Sequence, residues 1–246
     1  VMATYHQQIY AIDVAVGMMR KALKESGTHK NTVIIYTSDN GFFCGSHGYG
    51  SKVLPYEESS RVPLIIYDPR HSNSGKKLRA KALTGNVDFA STILKLSGLP
   101  IPENMDGKDL MRVYEDPKTA HHSSLPLINV WGKAPTHVLG VVTEKRKYLY
   151  WGYAAEGFKE SEELYDLEKD PMELTNEMKN SKNSKSIKRM RRLYDQHLAK
   201  WKNGSVSYND YERFGTLFDR NIPWSERKSA LSSKTYQEEK NFKKVN

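Results

Sequence analysis

The residues best suited to chemistry lie in a polar, glycine-rich loop at positions 38–52. Asp39 and Asn40 are adjacent and offer one carboxylate and one amide oxygen, which are hard donors of the kind that Ca²⁺ and Mg²⁺ bind. His47 is flanked by small residues and can exchange a proton near neutral pH, and Lys52 supplies a positive charge. An Asn-Gly step is also a strong turn signal, so taken alone these residues favour a solvated turn over a site.

The elements around this loop are typical of an α/β fold. Residues 33–37 form a continuous β-branched run, which predicts a parallel strand buried on both faces, and residues 62–67 predict a second one. Ligands of open α/β sheets bind beyond the carboxyl ends of the strands, so a site is expected at this loop. A helix before the first strand, ended by Gly27, is predicted by apolar residues at steps of three and four: Ile9, Ile12, Val16, Met19 and Leu23.

A further helix is predicted after Asn86, which is expected to cap it, with an apolar face formed by Val87, Ala90, Ile93 and Leu94. From about residue 121 the pattern changes. Residues 138–142 and 148–151 predict an antiparallel hairpin, and residues 163–167 a short strand. The last amphipathic helix is predicted by Ile187, Met190, Tyr194, His197 and Trp201.

The predicted organisation is therefore two domains, 1–120 and 121–246. The chain after Asn203 is expected to be irregular and polar, with its last dozen residues mobile.

Composition indicates a globular protein with an anionic partner. Apolar residues make up 38% of the chain and the mean hydropathy is −0.70, yet the apolar residues are clustered, and no stretch approaches the roughly 20 that a membrane span needs. The net charge is +9, with much of the basic excess in residues 179–202. Nucleic acid is one candidate partner, but no zinc-finger or RNP-type motif supports it, and a solvated helix face explains the basic cluster most simply.

The loop and its surroundings form one continuous pattern. It consists of Asp39-Asn40-Gly41, Gly45-Ser46-His47-Gly48, Lys52, Tyr56-Glu57-Glu58-Ser59 and Arg61-Val62-Pro63-Leu64. This pattern closely resembles the sulfatase family of the alkaline-phosphatase-like superfamily. Further matches extend the resemblance over most of residues 5–202: Val87-Asp88-Phe89, Leu99-Pro100, Met105-Asp106-Gly107, and Glu163-Leu164-Tyr165-Asp166-Leu167 with Asp170-Pro171. The resemblance implies an α/β fold, the C-terminal part of an alkaline-phosphatase-like sandwich, followed by a small antiparallel sheet with a helix.

The resemblance also implies roles for the loop residues. Asp39 and Asn40 would coordinate a divalent cation, Ca²⁺ in most members, with Mg²⁺ as the alternative. Lys52 would bind the sulfate group of the substrate. His47 would either contact the substrate and assist proton transfer to the leaving alcohol, or hold the loop in place.

One part of the family pattern is missing from these 246 residues. The family's nucleophile is a formylglycine made from the first residue of a Cys/Ser-x-Pro-x-Arg motif, and no such motif occurs; Cys44-Gly45-Ser46 does not fit it. We therefore expect the formylglycine and the remaining metal ligands in the N-terminal half of the same sulfatase, and we expect this segment to be inactive alone. The start at Val1 shows no signal peptide, which suggests a processed or truncated piece.

The function expected from the sequence is hydrolysis of sulfate esters, a sulfuric ester hydrolase activity. The positive charge favours a sulfated carbohydrate over an aryl sulfate as substrate. Two alternatives remain open: a phosphonate or phosphodiester hydrolase of the same superfamily, and a non-catalytic module that binds sulfated glycan. The resemblance favours a periplasmic or secreted protein.

Overall fold

The computed structural model describes residues 2–231, which fall into two compact units. The first unit holds residues 2–52 and 61–121, and the second holds residues 53–60 and 122–231. The predicted domains, 1–120 and 121–246, were drawn from the change in residue pattern. That pattern gave no sign that residues 53–60 join the second unit. The expected mobility of the last dozen residues concerns a part of the chain outside the described residues.

The helices and strands are numbered along the chain. The α-helices are α1 (Met2–Glu25), α2 (Glu57–Ser60), α3 (Asp88–Leu96), α4 (Met111–Glu115), α5 (Ser184–Gly204), α6 (Glu212–Leu217) and α7 (Trp224–Arg227). The strands are β1 (Ile34–Thr37), β2 (Phe43–Cys44), β3 (Gly50–Ser51), β4 (Leu64–Tyr67), β5 (Leu125–Asn129), β6 (Val138–Val142), β7 (Arg146–Trp151) and β8 (Ser161–Asp166). No helix within residues 2–231 is both long and apolar enough to cross a membrane.

The first helix forms as predicted but buries none of its residues. Gly27 follows it with φ 75°, the left-handed conformation that a helix end favours and that glycine adopts without strain. The apolar face of the helix is open: the exposed fraction is 48% for Ile9 and 65% for Met19.

The two predicted parallel strands are antiparallel to each other. Ile34 on β1 pairs with Tyr67 on β4, and Thr37 pairs with Leu64. They are also not buried on both faces, since Ile65 is 61% exposed. The sequence prediction was wrong on both points because an apolar run indicates only that a strand can be covered on both faces. It carries no information about strand direction or about which elements do the covering.

The predicted helix near residue 90 forms as α3, but it buries a polar face rather than the predicted apolar one. Asp88, Ser91 and Thr92 are buried, whereas Ile93 is exposed. The reason is that these polar side chains bind an irregular backbone segment. The Ser91 hydroxyl donates to the Gly107 carbonyl at 2.8 Å, and the Leu110 amide donates to the Thr92 hydroxyl at 2.9 Å. Such bonds satisfy backbone groups that burial would otherwise leave unpaired.

The second unit is built on a four-stranded antiparallel sheet in the order β5-β6-β7-β8. The predicted hairpin is confirmed as β6 and β7, with Val138 opposite Trp151, and the predicted short strand is confirmed as β8. α5 packs on this sheet as predicted. The core combines sheet, α5 and α6 residues, and its fully buried members include Val141, Tyr148, Leu164, Met190, Tyr194, Phe214 and Phe218.

Within residues 204–231 the prediction of an irregular chain was wrong. This segment forms α6 and α7, and Phe214, Leu217 and Phe218 complete the core beneath α5. Arg227 on α7 is fully buried, and its guanidinium donates to the carbonyls of Ile222 and Gly152 at 2.7 and 2.8 Å. The segment is polar on average, but Phe214, Leu217 and Phe218 are spaced at i, i+3 and i+4, which places them on one face of a helical turn.

Candidate functional site

The predicted metal ligands lie in the loop that directly follows β1. The Asn40 backbone amide donates to Asp39 Oδ1 at 2.9 Å, and the Ser38 hydroxyl donates to the Asn40 backbone carbonyl at 2.7 Å. These bonds fold the loop into a tight turn at the end of β1. The side chain of Asp39 is exposed and that of Asn40 is half-buried.

Two oxygen atoms in this loop remain available to a cation. Asp39 Oδ1 accepts the local bonds, which leaves Asp39 Oδ2 without a hydrogen-bond donor among residues 2–231. The Asn40 side-chain NH₂ donates to the Gly41 carbonyl at 2.8 Å, which fixes the orientation of the side-chain amide. Its Oδ1 accepts no hydrogen bond from residues 2–231. One carboxylate oxygen and one amide oxygen, neither occupied by a hydrogen bond, match the hard oxygen donors that Ca²⁺ and Mg²⁺ take.

Asn86 holds this loop, a role that sequence reasoning missed. Its side-chain NH₂ donates to the carbonyls of Ser38 at 3.0 Å and Asp39 at 3.2 Å. It does not cap α3, whose first residue is preceded by Val87 and which has no side-chain cap. An Asn just before an apolar helix predicts a cap by its chemistry alone, and only the fold shows that another loop's carbonyls lie closer.

The hairpin of β2 and β3 brings Lys52 back toward the ligand loop. Phe43 pairs with Ser51 and Cys44 with Gly50, so the chain returns to the level of Phe42 at Lys52. Phe42 lies only two residues after Asn40. Lys52 is exposed. Antiparallel register therefore places the predicted sulfate-binding residue next to the Phe43–Ser51 pair, whose Phe43 lies three residues after the predicted metal ligand Asn40.

The backbone on either side of Lys52 has an unusual conformation. Ser51 has φ 71° and Val53 has φ 85°, in the left-handed region. A β-branched residue such as Val rarely adopts this region, and local strain of this kind concentrates at functional sites.

His47 lies at the tip of the same hairpin, inside a short 3-10 turn from Ser46 to Gly48. It also has a positive φ, 54°, between Gly45 and Gly48, which both have positive φ. The ring is half-buried and packs edge-on against Phe43, with ring centroids 6.4 Å apart. His47 is thus held by the hairpin, and both of its predicted roles, substrate contact and loop support, remain predictions.

Residues 53–60, which continue from Lys52, are held in the second unit by a buried charge network. Lys147 on β7 has no exposed side-chain surface, and its ammonium lies 2.9 Å from Glu57 and 2.9 Å from Glu173. Glu173 also accepts the Glu57 backbone amide at 2.6 Å, and Tyr56 donates to Glu163 at 3.0 Å. Burial raises the pKa of the Glu173 carboxyl, and the Lys147 charge opposes that rise.

A second buried pair lies in the first unit. His121 Nε2 lies 3.3 Å from Asp88 Oδ2, and both side chains are buried. The Asp88 carboxylate also accepts the amides of Gly85 at 2.9 Å and Lys108 at 2.8 Å. These bonds tie the start of α3 to the segment that follows it, so we assign this pair to the support of the fold.

Comparisons with known proteins place this chain among sulfatases. The family model described as N-sulphoglucosamine sulphohydrolase, C-terminal, matches residues 45–200. An arylsulfatase of Clostridium perfringens is 31% identical over 208 residues, covering 84% of this chain and 42% of the arylsulfatase. An N-acetylglucosamine-6-O-sulfatase of Bacteroides thetaiotaomicron is 31% identical over 210 residues, covering 82% of this chain and 36% of that enzyme.

The fold agrees with these relatives. The solved complex of BT4656 with its substrate D-glucosamine-2-N,6-O-disulfate superposes with a TM-score of 0.71 at 28% identity, covering 80% of this chain and 40% of that protein. The chain thus spans about two fifths of the length of the proteins it matches. The expected alkaline-phosphatase-like α/β fold with a small antiparallel sheet is confirmed. The chain therefore belongs to the sulfatase family, and it matches the C-terminal region of that family.

Proposed function

We propose that the protein carrying this chain hydrolyses sulfate esters of a sulfated glycan, and that residues 38–52 supply part of its active site. Two features of the first unit support the proposal. Two side-chain oxygens at the end of β1 accept no hydrogen bond from residues 2–231, and the hairpin pairs Ser51, next to Lys52, with Phe43, three residues after Asn40. The solved relative with a disulfated glucosamine substrate supports a sulfated sugar as the substrate class.

Four residues of the loop, and Asn86 outside it, have proposed roles. Lys52 binds the non-bridging oxygens of the sulfate group, where negative charge is stabilised by a fixed ammonium. Asp39 and Asn40 hold the divalent cation, Ca²⁺ or alternatively Mg²⁺, and a bound cation supplies Lewis-acid stabilisation of negative charge on the sulfate. His47 donates a proton to the leaving alcohol or fixes the hairpin that carries Lys52. Asn86 positions the ligand loop through the carbonyls of Ser38 and Asp39.

The catalytic nucleophile lies outside these 246 residues in this proposal. It is a formylglycine in the N-terminal half of the same sulfatase, which is also the protein partner that completes the metal site. The family resemblance favours a periplasmic or secreted location for the complete protein.

The proposal is tested by assaying the complete protein on sulfated oligosaccharides and an aryl sulfate, with a phosphonate ester and a phosphodiester as competing substrates. Lys52→Ala should lower kcat/KM for sulfate esters by about 10²- to 10³-fold, in the range of a lost charge-stabilising donor. The matched control is Lys95→Ala, an exposed lysine on α3, which should leave kcat/KM unchanged.

Three results would contradict the proposal. A loss of tenfold or less in kcat/KM for Lys52→Ala would show that Lys52 is an ordinary solvated surface lysine. Higher kcat/KM for the phosphonate ester or the phosphodiester would identify the alternative hydrolase of the same superfamily. Retained glycan binding with no hydrolysis, in both the wild type and the variant, would identify a non-catalytic binding module.

A further inference from the structure

The basic cluster seen in the sequence is organised by α5 into a single stripe. Lys185, Lys188, Arg189 and Arg192 are spaced at i, i+3, i+4 and i+7, and all four are exposed. At about 100° per residue their mean direction lies about 170° around the helix from the buried Met190, Tyr194 and Leu198. The buried face fixes how α5 is rotated, so the stripe points away from the core of its unit.

The stripe has no counter-charge within the part of the chain that the structure describes. Within residues 2–231 none of its four side chains takes part in an ion pair or a side-chain hydrogen bond. Other basic residues of the same helix are paired: Arg191 with Glu162, and Lys202 with Asp219. Residues 179–202 contain nine lysines and arginines against one acidic residue, Asp195, and that carboxylate is bound by Arg220 at 2.7 Å.

This arrangement opposes helix stability at two points. Like charges at i, i+3 and i+4 repel one another by about 0.2–0.5 kcal/mol per pair on a helix surface. The stripe also lies in the first half of α5, whose first turn contains no acidic residue, so positive charge sits near the positive end of the helix dipole. A solvated surface helix normally mixes both signs, so charge placed in this way favours an external anion over solvation alone.

We propose that this stripe binds the sulfated polysaccharide chain at sulfate groups other than the one being hydrolysed. The inference rests on the proposed function for its choice of polyanion. Seven steps of ~1.5 Å from Lys185 to Arg192 give the stripe a length of about 10 Å, enough for a row of charges rather than a single ion. The apolar face of α5 is buried in the core, so the helix has no apolar surface for a lipid bilayer, and the stripe itself has no aromatic residue on which a nucleic-acid base would stack.

The decisive variant is K185Q/K188Q/R189Q/R192Q in the complete enzyme, since Gln preserves helix propensity and relieves like-charge repulsion. KM for a sulfated polysaccharide such as heparin should rise about tenfold at low ionic strength, with kcat unchanged, as expected for lost contacts to a polyanion. Kinetic constants for an aryl sulfate should not change, because its single sulfate group is the one being hydrolysed and none is left for the stripe. Added salt should weaken polysaccharide binding strongly in the wild type and weakly in the variant.

The matched control removes four exposed lysines elsewhere, K30Q/K81Q/K95Q/K118Q, and thereby the same net charge. Equal effects of the two quadruple variants, or equal loss on polysaccharide and aryl sulfate, would overturn the stripe as a binding site. The salt concentration that elutes each variant from immobilised heparin measures binding without sulfatase activity. Failure of the stripe proposal can therefore be distinguished from failure of the proposed function. Duplex DNA or RNA that binds the stripe as tightly as heparin would also overturn the proposal, in favour of a nucleic-acid partner.

Discussion

Lys147 is buried between two carboxylates, and its position links a strand of the second unit to the segment that follows Lys52. A buried charge is tolerated only when it is paired, because desolvation of an isolated ion costs several kcal/mol. Here the ammonium contacts Glu57 and Glu173 at 2.9 Å each, and Ser60 at 3.3 Å. The network therefore fixes residues 57–60 on β7 of the second unit.

Replacing Lys147 should be strongly destabilising. Lys147→Met removes the charge but keeps much of the side-chain length, so two carboxylates are left without their buried partner. We expect a loss of about 3–5 kcal/mol in the free energy of unfolding. The matched control is Lys145→Met on the same hairpin, whose partner Glu168 is exposed and which should cost less than about 1 kcal/mol. Urea denaturation of both variants decides the matter, and equal losses would show that the buried network contributes nothing specific.

Glu162 links β8 to α5 and should make stability depend on pH. Burial alone would raise its pKa, but bonds from Arg191 and the Tyr148 hydroxyl outweigh that and hold the pKa below the usual glutamate value. A lowered folded-state pKa stabilises the fold above about pH 4.3, the unfolded value, and that contribution is lost as the pH falls through the folded pKa. Glu162→Gln should therefore be destabilising at pH 7, and its difference from the wild type should shrink between about pH 5 and pH 3.

The control for this pH dependence is Glu168→Gln, which alters an exposed carboxylate. Its difference from the wild type should be small across the whole range. Denaturant titrations at several pH values measure both. A constant penalty for Glu162→Gln from pH 7 to pH 3 would mean that packing, not charge, explains the role of Glu162.

At the scale of elements, the second unit depends on helices that lie beyond the predicted core. Phe214 and Phe218 stack with ring centroids 5.9 Å apart, and the Tyr194 hydroxyl of α5 donates to the Phe218 carbonyl at 2.5 Å. α6 is only six residues long, too short to be stable alone, so tertiary packing must hold it. It is an integral part of the core and not a polar tail.

Phe214→Ala should test this conclusion directly. Removing a buried aromatic side chain typically costs about 3–5 kcal/mol in the free energy of unfolding, because transfer free energy is lost and a cavity remains. Tyr208→Ala, in the same segment but 88% exposed, should change stability by less than about 0.5 kcal/mol. Thermal or urea unfolding measures both. A loss below 1 kcal/mol for Phe214→Ala would mean that α6 packs only loosely on α5.

The sequence predicted best those elements whose residue pattern depends only on residues close together in the chain. The hairpin of β6 and β7, β8 and α5 follow from periodicity and turn residues, and all were found. The strand direction of β1 and β4, the buried face of α3 and the role of Asn86 were missed, since each depends on a partner distant in sequence. The burial of Lys147 is explained by the convergence of Glu57 and Glu173, which are distant in sequence. The residues of the candidate site came from the family pattern, because Asp39 and Asn40 alone are typical of a turn.

At the scale of the whole molecule, the two units differ in how completely they bury their apolar residues. The second unit has a closed core of aromatic and aliphatic side chains. In the first unit α1 buries no residue, and Ile65 on β4 is 61% exposed. Apolar surfaces of this extent on a helix and on a strand of the same unit are typical of faces that another segment covers. A chain that spans about two fifths of its relatives has ample unmatched sequence in those relatives to account for such a segment, which agrees with the proposed N-terminal partner.

The metal site gives this whole-molecule proposal its sharpest test. Ca²⁺ takes about six to eight oxygen ligands, and Asp39 and Asn40 offer one open oxygen each. We therefore expect weak Ca²⁺ binding by the 246-residue chain alone and a tight site only when the N-terminal half is present. Calorimetry on the chain and on the complete protein makes the comparison, with Asp39→Ala in the complete protein as the variant and Asp109→Ala as the matched control. Only Asp39→Ala should lower the affinity, because Asp109 lies outside the ligand loop and its carboxylate accepts the Met111 amide at 2.9 Å. Micromolar affinity for the chain alone, or equal affinity for both aspartate variants, would show that Asp39 and Asn40 are not half of a shared site.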